Sequence, residues 1–277
     1  MKKNMKGIIT EKVLIQKWVK ERKSQKEIAN EFGVHVSTIE RYIKTFGLTR
    51  YREKVKYPIN KDSINLQNPI YWYFLGLVLS DGYVDVNNNR IMITLIDEDI
   101  LIELSKYFST NDYVIPISKT KIKNNKYYYS LTLVSAELVD SCISILDIKN
   151  KSKTNEVVFP TTDNIENYLM LLRGVIDGDG CIKVSKTGNI YFEIYSHSDR
   201  MIESFAKEYK KYFGIDIAIY NCKKGKGKTL HSTPKNDLLI NVYEKYPNIS
   251  IQRKRNIVKK LVDDIVCRYE MINHNIW

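Results

Sequence analysis

The chain has 277 residues, 43% of them hydrophobic, enough for one large domain or two to three small ones around packed cores. Its net charge of +12 is unevenly spread: residues 1–56 hold 15 Lys and Arg against 6 Asp and Glu, and the remainder 29 against 26. No apolar run reaches the roughly 20 residues of a membrane span, the start "MKKNMKGIITEKVL" lacks the apolar core of a signal peptide, and four cysteines without CxxC spacing argue against a zinc site or a disulfide framework.

The basic N-terminal segment predicts three helices. In "TEKVLIQKWVKERK", Val13, Leu14 and Trp18 share one helical face. Ser24 can cap a second helix, "SQKEIANEF", that stops at Gly33, and "VHVSTIERYIKTFG" gives a third that stops at Gly47. A tight glycine turn between two short helices, with small Ala29 and inward Ile39 and Ile43, is the helix-turn-helix pattern, expected over residues 1–50. The outer face of the third helix then presents His35, Ser37, Thr38, Arg41 and Lys44 to base edges and phosphates. A three-helix protein-interaction module has the same pattern; the local charge excess favours the nucleic-acid reading. Residues 51–67, polar and without a sustained period, read as a linker.

From Asn68 the chain repeats itself. "PIYWYFLGLVLSDGYV" (69–84) and "NYLMLLRGVIDGDGCI" (167–182) align without a gap at a spacing of 98 residues, Gly76 on Gly174, Asp81 on Asp179 and Gly82 on Gly180. Strand-like "RIMITLI" and "NIYFEIYS" follow, then amphipathic helices with stripes Ile100, Leu101, Leu104, Phe108 and Ile202, Phe205, Tyr209, Phe213. Further strands and a last helix complete each unit. The expected architecture is α+β: two tandem pseudo-symmetric αββαββα repeats, over 68–157 and 158–277, behind the small all-α domain.

Gly76 and Gly174 sit mid-helix, where glycine costs about 1 kcal/mol relative to alanine. Close helix–helix contact is the compensating reason, and it would bring the two helix C-termini together with Asp81 and Asp179 side by side. Asp177 has no acidic counterpart, because Leu79 holds its place, so it reads as a bystander. Adjacent carboxylates at two helix C-termini concentrate negative charge; oxygen-only ligands favour Mg²⁺, with Ca²⁺ as an inactive substitute. Such a centre can hold an attacking water and stabilise the leaving oxygen of a phosphodiester. A single Asp-Gly is also an ordinary turn signal; the duplication at matching positions favours the chemical reading.

"FLGLVLSDG" (74–82) and "LRGVIDGDG" (172–180) resemble the two signature motifs of the LAGLIDADG homing endonucleases, and the chain from about Asn68 onward resembles their single-chain, two-motif form. The resemblance implies a saddle of two sheets on double-stranded DNA, with a long asymmetric target site. It implies cleavage of both strands with 3′ overhangs, using Mg²⁺ or Mn²⁺ held by Asp81, Asp179 and Gly180. It also implies a lysine near the active site, with Lys254 in the second copy and Lys151 or Lys153 in the first as candidates; a backbone-phosphate contact is an equally good reading of each. A monomer in a bacterial or phage-infected cytoplasm is expected. A catalytically inactive transcription regulator of the same fold and an RNA maturase are the alternatives.

DNA contacts are expected from the sheets and their loops. In the second copy Lys183, Tyr191, Glu193 and Tyr195 alternate with Phe192 and Ile194, although the period alone does not decide which set meets DNA. Lysine loops over 119–126, with Lys121, Lys123 and Lys126, and over 223–228, with Lys224, Lys226 and Lys228, suit phosphates and equally suit solvated surface.

Overall fold

The computed structural model describes residues 9–21, 23–48, 57–122, 126–148, 157–185, 190–222, 227–232, 241–260 and 263. The chain divides into two compact units, Met1–Lys56 and Tyr57–Trp277. No helix among the described residues is long and apolar enough to cross a membrane.

In the first unit, α1 (Glu11–Leu14) continues into a π-helical stretch, Ile15–Lys20, which the sequence period did not announce. α2 (Gln25–Phe32) opens on a capping box: Ser24 Oγ accepts from Glu27 N at 3.1 Å, and Glu27 Oε2 accepts from Ser24 N at 2.7 Å. Gly33, at φ 61°, ends α2 in the left-handed region, and α3 (Val36–Thr45) follows three residues after Phe32. Leu14, Ile28, Ala29, Phe32, Ile39 and Ile43 close a small core. The helix–turn–helix geometry is present in this unit.

The second unit holds both copies. The first runs α4 (Pro69–Ser80), β1 (Gly82–Asp85), β2 (Arg90–Leu95), α5 (Glu98–Phe108), β3 (Ile117–Lys121), β4 (Tyr127–Val134) and α6 (Ala136–Leu146). The second runs α7 (Ile165–Gly178), β5 (Gly180–Val184), β6 (Ile190–Ser196), α8 (Asp199–Phe213), β7 (Ala218–Asn221) and β8 (Lys228–His231). Helical residues 241–244 and 252–260 follow. Each copy forms one antiparallel four-stranded sheet, ordered β1-β2-β4-β3 and β5-β6-β8-β7. The same order twice is the pseudo-symmetry that the repeat predicts.

Both motif helices start alike. Asn68 and Asn164 accept from backbone amides two to three residues ahead, and Pro69 takes the first turn of α4, where its missing N–H has no intrahelical partner to lose. One continuous core joins the copies, from Tyr71, Phe74 and Leu77 through Ile91, Ile93 and Leu131 to Leu171, Ile194 and Phe205.

Two expectations change here. Residues 57–67 are no free linker: Ile59 is buried, Asn60 N donates to Phe108 O at 2.8 Å, and Tyr107 OH donates to Ser63 O at 2.8 Å. Residues 119–121, read as loop, end the edge strand β3, paired with Tyr127–Tyr129.

Candidate active site

α4 and α7 cross at their glycines. A Cβ on Gly76 would lie 2.8 Å from Gly174 Cα, and one on Gly174 would lie 2.9 Å from Gly76 Cα, so no side chain fits on either helix at this level. Both helices end on an aspartate. Asp81 N donates to Leu77 O at 2.9 Å and Asp179 N to Val175 O at 3.1 Å, which keeps each acid at the C-cap. The glycine after each acid permits a second close approach, since a Cβ on Gly82 would lie 2.5 Å from Val78 Cα, and one on Gly180 would lie 2.6 Å from Ile176 Cα. Only glycine lets the chain double back against the helix it has just left.

The helix ends meet across the copies. A Cβ on Gly178 would lie 2.5 Å from Asp81 Oδ2 and would overlap Ser80, the residue that stands opposite it. Asp81 is half-buried and Asp179 exposed. Asp179 lines a hollow of about 290 Å³ with Leu79, Ser80, Val157 and the strand end Tyr195–Ser198. The two acids expected to converge therefore sit at two abutting helix C-termini, where the helix dipole adds partial negative charge.

Asp177, read as a bystander, is held by three donors. Its carboxylate is fully buried and accepts from Tyr73 OH at 2.8 Å, Tyr243 OH at 2.7 Å and Ile251 N at 2.8 Å. Burial pushes its pKa up; the donors from Tyr243, Ile251 and Tyr73 pull it back down. Arg173, one turn earlier and also fully buried, donates to Tyr246 O and Ile249 O at 3.0 Å each and to Lys245 O. Both residues anchor the chain that follows the second sheet. The sequence carried one signal for this: two charges on a helix whose first copy has Leu75 and Leu79 at the same places.

Lys254 is 5% exposed, and its ammonium donates to the carbonyls of Ile176, Asp177 and Gly180 at 2.7, 2.6 and 2.7 Å, with Gly178 O at 3.2 Å. It caps the C-terminus of α7. Burial lowers its pKa, while Asp177 and Asp81 raise it. Lys254 holds the backbone on both sides of Asp179, and the Gly180 carbonyl is one of its acceptors. Its neighbours tie the copies together, Arg253 Nε to Asp97 at 2.9 Å and Gln252 N to Asp99 at 2.9 Å. Lys151 and Lys153 lie outside the described residues.

The strand register sorts the expected DNA contacts. Lys183, Tyr191, Glu193 and Tyr195 all fall on the sheet face turned away from the helices, while Phe192 and Ile194 point into the core. Lys121 belongs to the opposite face: it pairs with Tyr127, in the row of Leu131, and Lys126 stands exposed at the start of β4. Lys228 shares the core side with Leu230 and pairs with Asp199 of α8 at 2.8 Å, so it is a fold contact. Lys123, Lys224 and Lys226 lie outside the described residues. In the first unit Ser37, Arg41 and Lys44 are exposed on α3 and Thr38 is half-buried. His35 is exposed as well, but its Nδ1 accepts from Ser37 N at 3.3 Å and so caps the helix.

A family model described as LAGLIDADG-like domain matches residues 68–146 and 166–260. Among solved structures, full-length DUF199/WhiA from Thermatoga maritima is 17% identical, covering 77% of this chain and 70% of that one, at TM-score 0.46. The homing endonuclease I-WcaI bound to its DNA recognition sequence is 13% identical, covering 72% and 90%, at TM-score 0.49. The meganuclease I-SmaMI bound to uncleaveable DNA is 15% identical, covering 75% and 91%, at TM-score 0.44. No curated protein matches the chain.

Proposed function

The chain belongs to the LAGLIDADG-like domain family, and from that premise we propose that it is a site-specific endonuclease that cuts both strands of duplex DNA with a divalent metal. One observation carries the reading: both C-cap acids are kept, and the Asp81 carboxylate lies against Gly178, one residue from Asp179. Two carboxylates at abutting helix C-termini are costly to hold together unless a cation joins them.

The donor set fits Mg²⁺ or Mn²⁺, with Ca²⁺ as the non-cleaving substitute. Mg²⁺ is commonly held by one or two carboxylates and completes its shell with water and substrate phosphates. That agrees with the two acids Asp81 and Asp179. The ion would supply activation of water and stabilisation of the leaving oxygen. Asp81 and Asp179 would hold it between the helix ends. Lys254 acts as a positioning residue, fixing the backbone on both sides of Asp179. The Gly76–Gly174 crossing sets the separation of the two acids.

Because each copy supplies one acid, a single chain completes the centre, and the monomer is the expected active form. The two sheets differ in sequence, so the target is long and asymmetric. The helix-turn-helix unit lengthens it through Ser37, Thr38, Arg41, Lys44 and His35, its contacts weakening with salt. The test is a randomised duplex library incubated with Mg²⁺, Mn²⁺ or Ca²⁺, with cleaved ends sequenced. Cleavage in the first two alone, at one site with 3′ overhangs, is expected. Specific binding with no cleavage in any metal would leave a non-enzymatic DNA-binding regulator; binding of structured RNA instead of duplex would leave a maturase.

A further inference from the structure

The helical run over residues 252–260 follows a residue that cannot cap it. Ile251 is fully buried and offers no side-chain acceptor to the amides that a first helical turn leaves without intrahelical partners. Acceptors come from both copies instead: Ile251 N donates to Asp177 Oδ2 of α7 at 2.8 Å, and Gln252 N donates to Asp99 Oδ2 of α5 at 2.9 Å. Asp97, at the cap position of α5, makes no cap bond there; its carboxylate accepts from Arg253 Nε at 2.9 and 3.1 Å. Lys254 then stands in the first turn, where a cation opposes the helix dipole. The nearby acids and the carbonyls at the end of α7 offset that opposition. Ile93 stands opposite Gly82 and Ile194 opposite Gly180, a register that makes Arg200 of α8 the counterpart of Asp99. Arg200 pairs with Asp147, which ends α6, so the same place in the second copy carries the opposite charge and holds a helix end instead of a helix start.

This inference rests on the endonuclease reading above: we infer that Asp99, in the first copy, is a positioning residue for Asp179 in the second, acting through Gln252 and Lys254. The chain of contacts is continuous. Asp99 fixes Gln252 N, two residues before Lys254, and the Lys254 ammonium spans the carbonyls of Asp177 and Gly180 on either side of Asp179. Without the Asp99 acceptor the first turn is free to unwind, and Lys254 moves with it. The Gln252 amide needs an acceptor and not a charge, so asparagine serves there as well as aspartate. Asp97 contributes less, because the side chain of its partner Arg253 is 53% exposed. The centre therefore depends on the first copy twice, for Asp81 itself and for the seat of Asp179.

The test is a double-mutant cycle in the full chain, read as single-turnover cleavage, in Mg²⁺, of the duplex that the library selects. Asp99→Ala should slow cleavage roughly tenfold, the cost of a lost helix cap. Asp99→Asn should stay within about twofold of the parent, and both variants should bind the duplex in Ca²⁺ as the parent does. In a Lys254→Met background Asp99→Ala should cost nothing more, since the route to Asp179 is already cut. Hydrogen exchange of the free protein gives a second reading that does not need Lys254→Met: the amides of residues 177–181 should exchange about tenfold faster in Asp99→Ala and at the parent's rate in Asp99→Asn. An equal cost with and without Lys254, no cost at all, or unchanged exchange would overturn this inference and leave the endonuclease reading standing. A parent that cuts no duplex overturns both.

Discussion

The two motif helices began as copies and now play different parts. α4 is buried from Tyr71 to Leu79 and carries no charged side chain, so apolar packing and the bonds made by Tyr71, Trp72 and Tyr73 hold it. α7 has the same glycine, the same final acid and the same turn, but it carries Arg173 and Asp177 where α4 carries Leu75 and Leu79. Those two charges bind Tyr243, Lys245, Tyr246, Ile249 and Ile251, and the segment they anchor brings Lys254 beneath Asp179 and Arg253 to Asp97. What has stayed the same in both helices is the glycine at the crossing and the acid at the C-cap, the parts that the proposed chemistry uses. What has diverged is how each helix is attached to the rest of the chain.

This comparison can be broken at several points. The largest effect is expected from Asp81→Asn and Asp179→Asn, each lowering cleavage of the selected site by about a thousandfold, on the order of 4 kcal/mol. Single-turnover assays on both strands should give equal losses; a variant that keeps one strand's rate would mean the copies act separately. Next comes Asp177→Leu, which makes α7 match α4 and leaves Tyr73, Tyr243 and Ile251 N without their acceptor. Urea unfolding should register a loss of about 3 kcal/mol, and a change below about 1 kcal/mol would assign the C-terminal segment to packing alone. Gly76→Ala and Gly174→Ala should each cost about 2 kcal/mol by the same measurement; unequal costs would show that one helix yields more easily than the other. The smallest effect belongs to Arg253→Ala. Its pair with Asp97 leaves the arginine side chain 53% exposed, so thermal unfolding should report less than about 1 kcal/mol.

Much of this was legible in the sequence because it is local or duplicated. Helical period, cap residues and turn glycines act within a few positions, and a 98-residue repeat presents the motif helix and its turn twice. The edge strands β3 and β7 were not legible: "ISKTK" and "AIYN" are short and exposed, with no alternation of buried and open positions to mark a strand. The roles of Asp177 and Lys254 were hidden for another reason. Their partners lie 66 to 104 residues away in sequence, and no periodicity reports a contact at that separation. The break in the repeat at Leu79 and Asp177 was visible, and its meaning needed the fold: an acid without a twin was holding the chain in place.

Ser80 and Gly178 meet where the two motif helices end, and the space there admits one side chain and no second. Pairing the first copy with another of itself would set serine against serine in a gap that accepts only serine against hydrogen. Pairing the second copy with itself would bury two Asp177 carboxylates with one Tyr73 partner missing on each side, since Leu171 stands at that place in α7. Each half is therefore expected to pair less well with a copy of itself than with the other half, which gel filtration of the separate halves would check. Anyone exchanging one half for that of a relative must carry the residue opposite Gly178 along with it.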